Sequence, residues 1–395
     1  MQTDRAGERR VLGLDLLRAV AITWVVVAHA EFILRPVFPK MPTIWILDAV
    51  DLFFVLSGFL IGRIILRDVV ARDDQPPFQL LRMFWMRRWL RTLPAYYATF
   101  LACFMLFKLF PGTGPGLTWK YLVFLQNMWT PHPGFMANAW SLSIEEYYYL
   151  LFPLAIVAPS MLFRHDRRRA YLFAALLFML APLLLRFWLA RTLAHPQLPA
   201  VWEGMCHKLI PTRLDAIAYG ALGAWMELCH AGFWKRRAAP LALLGLAVLV
   251  AACVLPFGWL ARWTVSLSMT SLGVALLLPA LSLFKDSPEW FAAPVRHISK
   301  HSYSMYLVHY PLILVPILAL ARHASPRTAI LWCIAYYLAV MLLSYALYYI
   351  IERPGLMLRK HITRRWAVRH HEKIPLEVAV PMTPAELAEA SEPRD

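Results

Sequence analysis

The sequence predicts an all-α integral membrane protein, a bundle of about ten transmembrane helices with both termini in the cytoplasm. The first observation is composition: of 395 residues, 60% are hydrophobic and 16% are charged. Soluble domains average roughly 45–50% apolar residues and about 25% charged residues. The second is that hydrophobic residues occur in blocks of roughly 18–23, long enough to cross a bilayer core of about 30 Å. The third is that Lys and Arg concentrate between alternate blocks.

Ten hydrophobic blocks define the predicted spans. Prolines stand at several of their edges, including Pro94, Pro111, Pro256 and Pro354, where helices tend to begin or end. The first block contains an arginine and no small-residue cleavage site, so we expect a span and not a cleaved signal peptide. In order, the spans cover residues 11–33, 44–66, 94–110, 143–162, 170–190, 213–230, 239–256, 262–284, 300–322 and 328–350.

The distribution of positive charge predicts the orientation. Arginine-rich segments such as Arg87–Arg91, Arg164–Arg169 and Lys235–Arg237 fall in one set of alternate loops, which the positive-inside rule assigns to the cytoplasm. The formal net charge of +16 therefore reflects topology rather than nucleic-acid binding. We expect three parts: a cytoplasmic N-terminus (1–10), a transmembrane domain (11–355), and a basic cytoplasmic segment with a mobile tail (356–395).

Two stretches outside the spans have a distinct composition. Arg67–Leu93 mixes arginines with aromatic residues and predicts a basic amphipathic helix lying on the inner membrane surface. The outer loop Pro111–Trp140 is rich in aromatic residues, which either stack on sugar faces or anchor the chain at the membrane interface. The five cysteines are scattered and form no CxxC pair, so neither a disulfide framework nor a metal site is predicted.

Ionisable residues within a span are costly and point to function. Arg18 and His29 lie eleven residues apart in the first span, which places them on one helix face about 16 Å apart. Asp15 precedes Arg18 by three residues, so those two side chains can form an ion pair. Two interpretations stay open: a functional pair, or a neutralised arginine and an interfacial histidine.

Two adjacent glutamates, Glu145 and Glu146, stand at the outer start of the fourth span. We expect them at about the height of His29, pointing about 100° apart, so that they serve different partners. The structural alternative is that they complement the helix dipole, with Ser141 or Ser143 as the N-cap.

Further candidates follow along the chain. Asp51 lies near the outer end of the second span, where an acid can orient a histidine ring. Arg213 and Asp215 open the sixth span, and either pair with each other or with the glutamates. His309 lies well inside the ninth span near Tyr306, and the structural alternative is a histidine satisfied by a tyrosine or a backbone carbonyl.

Seven stretches, taken together and in this order, carry a resemblance. They are "LDLLRAVAITWVVVAH", "DLFFVLSGFLIG", "RRWLRTLP", "WSLSIEEYYYLLFP", "RLDAIAYG", "SYSMYLVHYPL" and "IERP". The chain resembles the membrane-bound acyltransferase 3 family, the bacterial O-acyltransferases. The resemblance implies a ten-span bundle in the cytoplasmic membrane. It also implies transfer of an acyl group, commonly acetyl, from cytoplasmic acyl-CoA to an acceptor hydroxyl, such as one on a surface polysaccharide or glycolipid.

Carried over by position, Arg18 and His29 resemble the essential Arg and His of the family, and Arg87, Arg88 and Arg91 its cytoplasmic basic motif. Glu145 matches the more regular glutamate of its motif, and Glu146 the less regular one. Since transfer to an alcohol needs a base and oxyanion stabilisation, we hypothesise that His29 is the base. In this hypothesis Glu145, or secondarily Asp51, orients the His29 ring. Arg18 contacts the thioester region or the pantetheine arm of the donor. The basic motif, Arg87, Arg88 and Arg91, binds the CoA phosphates.

Acyl-CoA enters this hypothesis as a substrate, and no bound cofactor or metal is expected. A transporter or flippase for an anionic glycolipid is the alternative, because buried charges, a basic inner face and an aromatic vestibule also suit export. No inverted repeat is evident in the sequence, which counts against it.

Overall fold

A computed structural model describes residues 11–41, 48–72, 76–109, 119–132, 134–163, 166–192, 203–255, 257–321 and 324–369. The predicted N-terminal segment 1–10 and the tail from residue 370 lie outside these ranges. So do residues 111–118 of the aromatic loop and residues 164–165 of one arginine-rich loop.

In the described ranges the regular structure is helical, without strands. Five single turns of other helix types join or flank the α-helices: Leu66–Val70, Glu203–His207, His309–Leu314 and Tyr348–Glu352 are π-helical, and Trp119–Val123 is 3-10. The α-helices are α1 (Leu12–Leu34), α2 (Ala49–Ile65), α3 (Pro77–Leu109), α4 (Ala139–Phe163), α5 (Arg167–Thr192), α6 (Ile210–Cys229), α7 (Ala231–Arg236), α8 (Ala238–Val254), α9 (Trp259–Trp263), α10 (Val265–Leu283), α11 (Glu289–Val308), α12 (Val315–Leu320), α13 (Pro326–Leu347) and α14 (Arg353–Arg369).

The protein is a multi-pass membrane protein, and each predicted span coincides with a helix. Among the described residues seven helices are long and apolar enough to cross a bilayer, and α8 is apolar but shorter. The helices α4 and α6, which carry several of the candidate charges, are not among the seven. The total of ten spans and the orientation of the termini remain predictions. The seven are Leu12–Leu34, Ala49–Val70, Pro77–Lys108, Arg167–Thr192, Val265–Leu283, Glu289–Leu320 and Pro326–Trp366.

The predicted surface helix and the third span are one continuous helix, contrary to the boundary placed at Pro94. At 33 residues, α3 is about 50 Å long, more than the bilayer core requires. A proline inside a helix leaves the carbonyl four residues earlier without its helical partner, which here is that of Leu90. Gly355 of α14 packs against this point, since a Cβ there would lie 3.0 Å from the Leu90 oxygen and 3.5 Å from Pro94 Cγ.

Small residues bring α2 and α6 into close contact. A Cβ on Gly58 would overlap the backbone at Ile217, and a Cβ on Gly220 would overlap the backbone at Val55. Close approach at small residues is how membrane helices gain packing energy. The same approach places the charged outer end of α6 against that of α2.

Candidate active site

His29 lies in the last third of α1, with its side chain partly exposed. Its Nδ1 is 2.7 Å from the carbonyl oxygen of Val25, one turn earlier. Because a carbonyl oxygen only accepts, Nδ1 carries the hydrogen, and in the neutral ring Nε2 holds the lone pair. The backbone of α1 therefore sets His29 in the tautomer that offers Nε2 as a proton acceptor.

A second histidine faces the first. His309 begins the π-helical turn between α11 and α12, and such turns occur frequently at functional sites. Its ring centroid is 4.9 Å from that of His29, edge-on, and the ring of Tyr310 is 5.2 Å from His29. Nδ1 of His309 donates to the carbonyl of Tyr306 at 2.8 Å, and its Nε2 is buried without a hydrogen-bond partner among the described residues. Both rings are thus held in the same tautomer.

Tyr306 fixes the start of α4 against α11. Its hydroxyl donates to the carbonyl of Asn138 at 2.9 Å and lies 2.5 Å from the hydroxyl of Ser141, and the side-chain amide of Asn138 donates to the Tyr306 carbonyl at 2.6 Å. Ser141 lies inside α4, so the alternative in which it caps the helix is wrong. These hydrogen bonds tie the start of α4 to the helix that leads to His309.

Arg18 lies in the N-terminal third of α1, the part that the sequence predicts to be on the inner side of the membrane. Its Nη1 lies 3.7 Å from Asp15, so the predicted pairing is confirmed. Arg18 also donates to the hydroxyl of Ser299 on α11 at 3.4 Å, and that hydroxyl donates to Asp15 at 2.5 Å. The Arg18 side chain is one-fifth exposed, whereas that of Asp15 is nearly buried. The cluster therefore joins α1 to α11 and leaves the Arg18 guanidinium accessible.

The two adjacent glutamates both face α3. Glu145 accepts a hydrogen bond from Arg88 at 3.2 Å, and the guanidinium of Arg88 lies 4.1 Å from the centre of the Tyr149 ring. Glu146 accepts a hydrogen bond from the hydroxyl of Thr92 at 3.1 Å, one turn further along α3. The charge of Arg88 acts on both carboxylates.

The glutamates lie further from the start of their helix than the predicted span implies. α4 begins at Ala139, four residues before the predicted span, so Glu145 lies about 9 Å along the helix and outside its first turn. Neither glutamate complements the dipole at the helix start. The charges of Arg18 and Arg91 act on Glu145, so we group Glu145 with those arginines, and its height relative to His29 stays a prediction.

Glu352 belongs to the same group and was missed as a site residue. It lies in the π-helical turn before α14, accepts a hydrogen bond from Ser304 at 2.7 Å, and feels the charges of Arg91 and Arg18. The stretch "IERP" is part of the family resemblance, but nothing in its four residues indicates that the glutamate points into the bundle. We call the set Asp15, Arg18, Arg88, Arg91, Glu145, Glu146 and Glu352 the inner charged layer.

Arg87 points elsewhere. It forms an ion pair of 2.7 Å with Asp68, in the π-helical turn that ends the second span. Three arginines of one motif therefore have different surroundings: Arg87 holds the inner end of α2, Arg88 holds α4, and Arg91 acts on Glu352.

Arg213 and Asp215 pair neither with each other nor with the two glutamates. Asp51 binds Arg213, and both side chains are fully buried. Asp215 binds Arg186 through two hydrogen bonds of 2.9 and 2.7 Å, and Ser268 donates to the same carboxylate at 2.8 Å. Arg213 and Asp215 therefore do not pair with each other, and Asp51 neutralises an arginine in place of orienting the histidine.

A carboxylate near His29 comes from a residue that sequence reasoning missed. Asp48, just before α2, contacts Nε2 of His207 at 2.5 Å, and its charge acts on His29. Burial raises the pKa of Asp48, but His207 and Arg213 outweigh burial and lower that pKa to about 2. His207 also lies 5.0 Å from the Trp140 ring, centre to centre. The 159 residues between Asp48 and His207 leave no local signal for the pair.

Comparison with known proteins places these residues in context. The chain matches the acyltransferase domain family over residues 11–349. It is 30% identical over 169 residues to the peptidoglycan O-acetyltransferase OatA of Listeria monocytogenes, covering 38% of this chain and 25% of that protein. It is 27% identical over 343 residues to the O-acetyltransferase OatA of Staphylococcus aureus, covering 77% of this chain and 51% of that protein.

One relative is matched over most of its length. The protein named "Putative membrane-bound transacylase BcsY" of Komagataeibacter xylinus is 27% identical over 376 residues, covering 90% of this chain and 86% of that protein. The chain spans about a quarter to a half of the length of the curated O-acetyltransferases that it matches. No solved structure gives a significant match.

Proposed function

The chain belongs to the acyltransferase domain family, and on that premise we propose that it is a membrane O-acyltransferase. It moves an acyl group, acetyl in the simplest case, from cytoplasmic acyl-CoA to a hydroxyl of a sugar-containing acceptor such as a surface polysaccharide or glycolipid. The names of its relatives, peptidoglycan O-acetyltransferase and membrane-bound transacylase, support this choice of reaction. The site of action is the cytoplasmic membrane of a bacterium.

The tautomer of His29 is the observation that carries the proposal. Nδ1 is committed to the Val25 carbonyl, so Nε2 takes the proton of the acceptor hydroxyl. The hydroxyl oxygen attacks the thioester carbonyl, the carbon–sulfur bond breaks, and the leaving thiolate takes the proton back from the imidazolium. His309, at 4.9 Å, shapes the site and disfavours a second proton on the pair, because like charges at that distance repel.

The inner charged layer supports entry of the donor from the cytoplasmic side. Arg18 lies on the same face of α1 as His29 and about 16 Å below it, and it is one-fifth exposed. Arg87 and Arg88 hold their carboxylates at 2.7 and 3.2 Å, whereas Arg18 holds Asp15 at the longer distance of 3.7 Å and is one-fifth exposed. We therefore favour Arg18 as the cation nearest the pantetheine arm, with Arg87, Arg88 and Arg91 as its supports.

The acceptor reaches the histidines from the opposite side. Tyr306, Ser141 and His309 line that approach, and the Asp48–His207 pair stands at its edge. Trp119 and Trp129 of the outer loop are 65% and 78% exposed. Such rings can stack on sugar faces, and they can equally anchor the loop at the membrane interface.

The experiment compares wild type with His29→Ala and with His230→Ala, an exposed histidine at the end of α6. Purified protein is mixed with radiolabelled acetyl-CoA, and release of free CoA and label on the protein or acceptor are followed. We expect His29→Ala to abolish transfer with unchanged melting temperature, while His230→Ala retains it. Normal transfer by His29→Ala would remove the base from the proposal, and CoA-independent export of a glycolipid would favour a transporter.

A further inference from the structure

A cluster of cations and aromatic rings lies between the middle of α11 and the C-terminal end of α13, outside the site described above. We call it the cation–aromatic cluster. It consists of Lys300, His301, Tyr345, Tyr348, Tyr349 and Arg353. The π-helical turn Tyr348–Glu352 runs through it, so one edge of the cluster adjoins the inner charged layer.

The cations of the cluster rest on rings and not on acids. Lys300 Nζ lies 4.8 Å from the centre of the Tyr348 ring and 5.2 Å from that of Tyr349, and it donates to the Tyr349 hydroxyl at 3.4 Å. The guanidinium of Arg353 lies 5.6 Å from the Tyr349 ring. Within the described part of the chain, neither cation makes an ion pair with a carboxylate. Their charge therefore stays available to an anionic ligand, since a cation–π contact neutralises nothing.

The histidine of the cluster has an unused nitrogen. His301 stacks on Tyr345 at 4.6 Å and 17°, and it meets Tyr348 edge-on at 4.7 Å. Its Nδ1 donates to the carbonyl of His297 at 2.9 Å. The residue is 3% exposed, and its Nε2 has no hydrogen-bond partner among the described residues. A buried polar atom without a partner is costly, which is expected where a ligand completes the bonding.

The rings offer an open face beside these polar groups. Tyr345 is 43% exposed and Tyr349 is 37% exposed, so one side of each ring is covered by the cluster and the other is free to stack. Positive charge, an orphaned nitrogen and an open aromatic face together suit a ligand that carries both phosphate and a planar base.

We propose that the cation–aromatic cluster binds the nucleotide end of the acyl donor, with its phosphates on Lys300 and Arg353 and its adenine on Tyr345. This inference rests on the proposed function. From Lys300, α11 rises nine residues to His309, about 14 Å, past Ser304 and its hydrogen bond to Glu352. A donor whose nucleotide lies in the cluster can then extend its thiol-bearing arm along α11 toward the histidines.

The test measures binding of CoA and of 3′,5′-ADP by the full chain in nanodiscs of phosphatidylcholine. Lys300→Gln/Arg353→Gln should raise the Kd of both ligands about tenfold or more, because two charge-assisted contacts are lost. Arg296→Gln is the matched control: it removes a cation one turn earlier on α11 that is already paired with Glu289, and the Kd should not change. Tyr345→Leu should weaken binding, and Tyr345→Phe should retain it.

Turnover separates the two proposals. If the double variant releases CoA from acetyl-CoA with a raised KM and a kcat close to that of wild type, the cluster binds the donor. If wild type turns over acetyl-CoA and the double variant has the same KM, the cluster assignment fails while the proposed function stands. If wild type neither binds CoA nor turns over acetyl-CoA, both the cluster assignment and the proposed function fail.

A further experiment tests whether the cluster binds the phosphate of a lipid headgroup in place of a nucleotide. The same variants are placed in nanodiscs containing phosphatidylglycerol. If Lys300→Gln/Arg353→Gln alters retention of phosphatidylglycerol but leaves the Kd of CoA and of 3′,5′-ADP unchanged, the cluster holds a lipid headgroup, and the nucleotide assignment is overturned.

Discussion

Breaking the ion pair between Arg88 and Glu145 should cost both stability and activity. The two side chains are 12% and 16% exposed and 3.2 Å apart. Removing one partner of a fully buried pair costs about 3–5 kcal/mol. Here the charge of Glu146 and the Tyr149 ring still compensate the guanidinium, so Glu145→Gln should destabilise by about 2 kcal/mol. Glu146→Gln should cost about 1 kcal/mol, because its Thr92 partner is neutral and can bond an amide.

The double variant Arg88→Gln/Glu145→Gln decides whether the pair acts as a unit. It removes both charges of the pair at once, so that only Glu146 loses a nearby cation, and it should be more stable than the sum of the single variants by at least about 1 kcal/mol. Unfolding is followed thermally in detergent, and acetyl-CoA turnover is measured on the same preparations. Because a helical membrane protein need not unfold in two states, the ranking of melting temperatures is the primary readout.

Two results would refute the reasoning about this pair. Strictly additive effects of Arg88→Gln and Glu145→Gln would mean that the two side chains do not depend on each other. A larger effect of Glu146→Gln than of Glu145→Gln would reverse the roles of the glutamates. If the double variant recovers stability but not turnover, the pair also contributes to donor binding.

Three further predictions concern packing, the outer charges and the inner layer. Gly58→Ala should lower the free energy of unfolding by about 1–3 kcal/mol because α2 and α6 must separate. The control Gly258→Ala, at a glycine with open space around it, should change the melting temperature little. Equal melting temperatures of the two variants would contradict the close approach of α2 and α6. Asp51→Asn should destabilise by about 3–5 kcal/mol by leaving Arg213 buried and unpaired, and Asp51→Asn/Arg213→Met should recover much of this loss in a thermal melt; no recovery would argue against the pairing. Glu352→Gln should raise the KM for acetyl-CoA more than it lowers kcat, and an unchanged KM would remove Glu352 from the donor side.

Features that depend on local sequence were predicted well. Hydrophobic blocks located the helices, and the eleven-residue spacing of Arg18 and His29 placed them on one face of α1. The pairing of Asp15 with Arg18 followed from three residues of separation in one helix. All of these follow from helix geometry, which a single stretch of sequence contains.

Features that depend on which helices meet were not predictable in the same way. Asp51 pairs with Arg213 because glycines bring α2 against α6, and no pattern within either helix states which neighbour it will have. The start of α4 was not evident from its sequence, and Ser141 looks like a helix cap when its partner Tyr306 on α11 is unknown. Asp48 and His207 meet only in the folded chain.

Exposure separates the charges that hold the bundle from those that can meet a ligand. The Asp51–Arg213 and Arg186–Asp215 pairs have no exposed side-chain surface, so an incoming substrate cannot reach them without breaking a pair worth several kcal/mol. Arg18, Arg88 and Glu145 retain 12–20% exposure, so an anionic ligand can reach them without first opening the bundle. The outer pairs are therefore expected to fix α2, α5 and α6 as a frame, while the inner charged layer contacts an anionic donor.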